Sequence, residues 1–195
     1  MLAKNVAIIV MNVVVYAGMS QLVAMEAWPE RLTFGALAAL AVLVHLWVRA
    51  PTPRAAFLAG FFFGLGFFLV GVSWVYVSLH RFGAMPAPLA AFATLGFCAF
   101  LALFPALAGW TQAKLRAPLA IPALWVFAEW LRGTILTGFP WLSIGNAAID
   151  TPLAGFAPVG GVYLLSLLSM IAAGLLWLVA GALLLHMRGG EKARS

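Results

Sequence analysis

From residue 6 to residue 187 the sequence runs as apolar segments of near-membrane length, parted by short breaks that hold almost all of its charge. A bilayer core takes about 20 apolar residues per helix. In lipid every backbone N–H and C=O needs a partner within the chain, so such segments fold as helices. Breaks of Pro, Gly and charge give spans at Val6–Val23, Leu32–Val48, Ala55–Leu79, Pro88–Trp110, Leu119–Leu136 and Val159–Met187. The expected fold is all-α: one domain over 1–195, a polytopic membrane helix bundle of about six transmembrane helices. Pro122 falls in the first turn of its helix, where proline is tolerated, and Pro105 falls inside one, where it kinks.

Composition closes off the other classes. Hydrophobic residues make up 65% and charged residues 8% of the chain, against about 25% charged in a soluble domain. That excludes a soluble enzyme, a secreted disulfide scaffold and a disordered chain. The net charge of +6 comes from single basic residues with no stripe among them, so no nucleic-acid partner is expected. Cys98 is the one cysteine, which forbids an internal disulfide and a multi-cysteine metal site. His45 and His186 have no ligand spacing to a carboxylate, so neither metal nor cofactor is expected.

Lysine and arginine set the orientation. With the amino terminus inside, eight basic residues (Lys4, Arg49, Arg54, Lys114, Arg116, Arg188, Lys192, Arg194) face the cytoplasm and three (Arg31, Arg81, Arg132) face outward. Both termini are then cytoplasmic. The breaks at Met25–Arg31, His80–Ala87 and Gly133–Pro158 face out. Gly60 and Gly64 form a small-xxx-small pair, read here as internal helix packing rather than dimerisation.

The chemistry-bearing residues gather at the outer end of the fifth span. Glu129 and Arg132 share a helical face and can pair. A guanidinium at that interface suits a phospholipid phosphate; a structural ion pair is the other reading. Beyond Arg132 come Gly133, Gly138, Pro140, Gly145, Pro152, Gly155, Pro158, Gly160 and Gly161, too many breakers for a regular helix. Phe139, Trp141, Leu142 and Ile144 are interleaved with them, so this apolar loop packs on the helices or dips into the interface. Trp74 and Tyr76 are expected interfacial aromatics, with His80 and Arg81 beyond them. Asp150 reads as a turn former. Cys98, among Phe97, Ala99 and Phe100, reads as inert.

Two stretches resemble the membrane part of bacterial apolipoprotein N-acyltransferases. One runs from Gly60-Phe-Phe-Phe-Gly64-Leu-Gly66 through Ser73-Trp-Val-Tyr-Val-Ser78 to Arg81-Phe-Gly-Ala-Met-Pro86. The other joins Pro122-Ala-Leu-Trp125, Glu129-Trp-Leu-Arg132-Gly, Leu136-Thr-Gly-Phe-Pro-Trp-Leu142, Asp150-Thr-Pro-Leu-Ala-Gly155, Ala157-Pro158 and Gly161-Val-Tyr163. The likeness covers about Ala55 to Ser169, and the first two spans are similar in hydropathy alone. It implies a multi-pass protein of the bacterial cytoplasmic (inner) membrane that serves lipoprotein maturation. The family carries an acyl chain from a phospholipid to an apolipoprotein by way of a thioester, using Glu, Lys and Cys of a nitrilase-like domain. That domain is not within these residues, and Asn146 stands where an aromatic is expected. No catalytic residue is therefore carried over, and the chain alone is expected to be inactive. Trp74, Tyr76, Glu129, Arg132, Thr137, Phe139, Pro140 and Trp141 are carried over as candidates for contact with lipid, substrate or the nitrilase-like domain. A membrane docking subunit for a separate transferase domain, or a small scaffold or transporter, are the alternatives. Against a transporter, no span holds a charged midplane path; Asn12 and Ser73 are the nearest polar candidates.

Overall fold

The computed structural model describes residues 29–192. Among them the regular elements are helical and no strand occurs. The α-helices are α1 (Pro29–Val48), α2 (Pro53–Gly71), α3 (Trp74–Val77), α4 (Ala87–Leu115), α5 (Ile121–Thr134) and α6 (Ala157–Lys192). A π-helical turn, Ser78–Phe82, follows α3; short 3-10 turns occupy Pro118–Ala120, Ile135–Thr137, Ile144–Ala148 and Pro152–Phe156. The expected span Val6–Val23 lies outside the described residues. Four described segments are long and apolar enough to cross a membrane: Pro53–Gly71, Ala87–Leu115, Pro118–Thr137 and Pro152–Leu184. Within α1 the described apolar stretch is Gly35–Val48. The chain is an all-α membrane bundle.

Local chemistry sets the helix ends. Thr52 caps α2, its hydroxyl oxygen accepting from the Ala55 N–H at 3.2 Å, with Pro53 in the first turn. Arg116 closes α4 in the left-handed conformation at φ 52°, its N–H donating to the Gln112 carbonyl. Helix α4 continues through Pro105, whose missing N–H leaves the Leu101 carbonyl without its usual i+4 donor.

Antiparallel α2 and α4 form the most extensive contact of the bundle. Gly60 and Gly64 make it possible. A Cβ on Gly60 would stand 2.6 Å from the Pro105 carbonyl oxygen, and one on Gly64 would stand 2.6 Å from Pro105 Cγ. The glycine pair therefore serves packing inside the chain. Behind it lies a core of Leu40, Leu43, Trp47, Phe63, Phe67, Leu101, Trp125 and Met170. Buried polar groups also tie helices together: Trp47 Nε1 donates to Ala56 O at 3.1 Å, and Gln112 Nε2 to Trp47 O at 3.0 Å. Trp177 Nε1 donates to His45 Nδ1 at 2.9 Å, tying α6 to α1. Phe92, Leu107, Leu175, Leu178 and Leu183 are exposed, as expected of side chains that face lipid tails rather than water.

One expected boundary is corrected. The span read as Ala55–Leu79 is not one helix: α2 stops at Gly71, Ser73 turns its hydroxyl to donate to Val70 O at 3.2 Å, and the chain restarts as α3. Gly71 and Ser73 weaken the helix locally, and a side chain from elsewhere packs against the break. A Cβ on Gly71 would stand 2.3 Å from Leu142 Cδ1, so the loop after α5 is packed against the end of α2.

Candidate functional site

The rim of the bundle is built where the ends of α2 and α5 meet the segment 135–156. This segment has no α-helix, as its Gly and Pro content demands, yet it is packed: Ser143, Ile144, Gly145 and Ala148 are buried. Three non-glycine residues in it, Leu136, Thr137 and Leu142, have φ of 53°, 75° and 61°. Each such left-handed residue costs about 1 kcal/mol or more and persists only where its surroundings enforce it. Gly138, at φ 82° and ψ 150°, takes a conformation that suits glycine alone.

Arg132 does the enforcing. It is buried, and its guanidinium is turned into the loop. Nη1 donates to Phe139 O at 2.6 Å and also to Trp141 O; Nη2 donates to Ser143 Oγ at 3.4 Å. Ser143 Oγ in turn donates to Pro140 O at 3.1 Å. The Arg132 carbonyl accepts from the Phe139 N–H at 2.8 Å. The guanidinium lies 5.4 Å from the Phe68 ring centroid, so the desolvated cation also rests on an aromatic face.

Glu129 holds the next stretch. Its Oε1 accepts from Trp125 Nε1 at 3.0 Å and from the Ile144 N–H at 2.8 Å, while Oε2 is buried without a hydrogen-bond partner among the described residues. The expected ion pair is replaced by a division of labour: among the described residues no ion pair joins Glu129 and Arg132. The carboxylate takes a loop N–H and the guanidinium takes loop carbonyls. Both line a cavity of about 20 Å³ with Phe68, Trp125 and Leu142, room for a single water. Gly145 completes the docking, its N–H donating to Ser166 Oγ of α6 at 2.9 Å.

The remaining candidates sit above this frame. Trp74 and Trp141 are 49% and 63% exposed and lie together, ring centroids 6.3 Å apart. Thr137 and Pro140 are exposed beside them. Phe139 is half-buried, its ring edge-on to Phe97 at 5.1 Å. Tyr76 stacks on His80 at 5.6 Å, and the His80 Nδ1–H donates to Met85 O at 2.9 Å. The eight candidates thus separate into two buried residues that shape the loop and six that are wholly or partly accessible. Sequence reasoning missed Phe68, Trp125, Ser143 and Ser166. Of these, Trp125 had a signal, since it sits four residues before Glu129 on the same face.

Comparison with known proteins identifies the family. The family model for the apolipoprotein N-acyltransferase N-terminal domain matches residues 17–175. The likeness thus extends beyond Ala55–Ser169 into the first two spans, where hydropathy alone had been legible. Among curated relatives, the apolipoprotein N-acyltransferase of Nitrosomonas europaea is 57% identical over 146 residues, covering 71% of this chain and 29% of that protein. The one from Methylococcus capsulatus is 47% identical over 157 residues, covering 77% and 30%. The one from Ralstonia nicotianae is 48% identical over 149 residues, covering 72% and 28%. The matched region spans under a third of the length of these relatives. By its sequence and its helical membrane frame, this chain belongs to the apolipoprotein N-acyltransferase N-terminal domain family.

Proposed function

We propose that this chain is the membrane portion of a phospholipid-to-apolipoprotein N-acyltransferase of the bacterial cytoplasmic membrane. It would support lipid and substrate binding at the outer face and take no catalytic part itself. The observation that carries this reading is the exposed Trp74–Trp141 pair, in which Trp141 stands on a strained loop held by buried Arg132 and Glu129 and Trp74 on α3 beside it. Aromatic pairs at a membrane rim suit acyl chains and the glycerol region of lipid. Arg132 and Glu129 are positioning residues in this reading, because their polar atoms are turned into the loop. Trp74, Tyr76, Thr137, Phe139, Pro140 and Trp141 provide the contact surface for phospholipid, for apolipoprotein and for a nitrilase-like domain. Cys98 is fully buried in α4 and is not available as a thioester-forming nucleophile.

The test is photo-crosslinking of the purified chain, in phosphatidylethanolamine vesicles, to a phospholipid bearing a diazirine near its ester linkages. Adduct at the rim is expected, with a severalfold loss in a Trp74→Ala, Trp141→Ala double variant whose melting temperature is unchanged. Undiminished crosslinking in that variant would remove the rim from the reading. Acylation of a diacylglyceryl-cysteine peptide by the purified chain alone would overturn the non-catalytic assignment.

A further inference from the structure

At the opposite end of the helices, the loops 49–54 and 114–118 bound an open cleft of about 860 Å³. Helix α2 separates the two ends: 19 residues, or about 28 Å at 1.5 Å per residue. Arg54, Lys114 and Arg116 line the cleft with Trp47, Trp110 and Thr52, and among the described residues no carboxylate lines it. The sequence has no Asp or Glu between Glu30 and Glu129, so both loops carry cations without acidic neighbours. Lys114 is held in place: its Nζ lies 4.8 Å from the Trp110 ring centroid. Arg116 projects from the left-handed closing residue of α4.

Three cations in one cleft ask for an anion with several oxygen acceptors, and arginine is suited to phosphate because its planar fork donates two parallel bonds. A second cavity says which phosphate. An apolar groove of about 230 Å³ lies between α1, α5 and α6 and shares Val48 and Pro118 with the basic cleft. Its walls include Val44, Ile121, Met170 and Leu178. A basic cleft continuous with an apolar groove has the polarity of a phospholipid: phosphate at the helix ends, acyl chain along the helices. We infer that this chain binds an anionic phospholipid at the end bearing Arg54, Lys114 and Arg116. The headgroup phosphate sits among those three cations and an acyl chain lies in the Met170 groove. The site is separate from the Trp74–Trp141 rim, and the lysine and arginine bias assigns it to the cytoplasmic leaflet.

Gly174 supplies a way to tell lipid from free phosphate. It lines the groove, and a Cβ there would meet no atom within 4 Å, so Gly174→Leu fills the groove without a clash. The experiment is native mass spectrometry of the full chain in detergent, titrated with dioleoyl phosphatidylglycerol, dioleoyl phosphatidylcholine or inorganic phosphate. Three cations should favour the anionic lipid over phosphatidylcholine by at least about tenfold, less at high salt. The Arg54→Ala, Lys114→Ala, Arg116→Ala variant should lose that preference. Arg54→Lys with Arg116→Lys should keep most of it, and Arg81→Ala at the other end should keep all of it. Gly174→Leu should weaken phosphatidylglycerol severalfold and leave any phosphate adduct unchanged. Melting temperatures near that of the unaltered chain show that each variant is folded. Equal binding of the two lipids, or full retention of phosphatidylglycerol by the triple variant, would overturn the inference. So would displacement of the lipid by millimolar phosphate with no effect of Gly174→Leu, which would mark a free-anion site.

Discussion

Replacing Arg132 by Met tests whether one guanidinium holds the rim loop. Methionine keeps the length and apolar bulk but offers no donor to Phe139 O or Trp141 O. Hydrogen bonds to a charged group contribute about 1.5–3 kcal/mol each, and the contact with the Phe68 ring adds about 0.5–1 kcal/mol. The cost is then roughly 3–5 kcal/mol. It should fall mainly on the loop, because the lost hydrogen bonds all end there and α2 meets the guanidinium through the face of Phe68. A change of about 3 kcal/mol raises the open population of the loop about 150-fold. Hydrogen exchange reads this directly: the Phe139, Ile144, Gly145 and Asn146 amides are bonded in the closed loop. These amides should exchange about two orders of magnitude faster, while those of residues 60–70 and 98–110 keep their protection. Arg132→Lys should recover only part, since one ammonium cannot replace the fork. Unchanged exchange at 139–146, or uniform loss across the bundle, would refute the reasoning.

Three further outcomes follow from the same geometry. Glu129→Gln keeps an acceptor for Trp125 and Ile144 and should cost about 1–2 kcal/mol, whereas Glu129→Leu leaves both donors unmet and should cost about 3 kcal/mol or more, measured by thermal melting in detergent. Gly138→Ala should lower the melting temperature and speed exchange at 139–146, because a Cβ there would lie 2.0 Å from the Gly133 carbonyl oxygen and φ 82° disfavours alanine. In a Cys98→Ala background, Ala147→Cys should react with an impermeant maleimide from outside the cell and Thr52→Cys should not; the reverse pattern would invert the orientation.

The helices were legible because lipid allows few backbone solutions, and Pro51-Thr-Pro53 and Ala117-Pro118 punctuate them visibly. The packed, irregular character of 135–156 was legible too, from breakers interleaved with aromatics. What stayed hidden is non-local. Gly71 and Ser73 are weak signals inside an apolar run, and the Leu142 side chain that packs on Gly71 comes from a distant loop. The roles of Glu129 and Arg132 were hidden for the same reason. Helical periodicity compares side chains on one helix, so it offered each to the other. The folded chain offers them instead the backbone of a returning loop, a partner with no side-chain signature. Ser166 likewise had no signal, since its bond to Gly145 crosses from the loop to α6.

The bonds around Arg132 also carry an order of assembly. Its partners are 7, 9 and 11 residues downstream, and Glu129 reaches Ile144 across 15. The tie between His45 and Trp177 spans 132. Short closures lose little chain entropy and form early. As the polypeptide enters the membrane, the part of the rim loop from 132 to 144 can therefore close once residue 144 has emerged, before α6 exists to support it. Helix α6 would then meet a loop already closed as far as residue 144, and its Ser166 would fasten Gly145 rather than mould it.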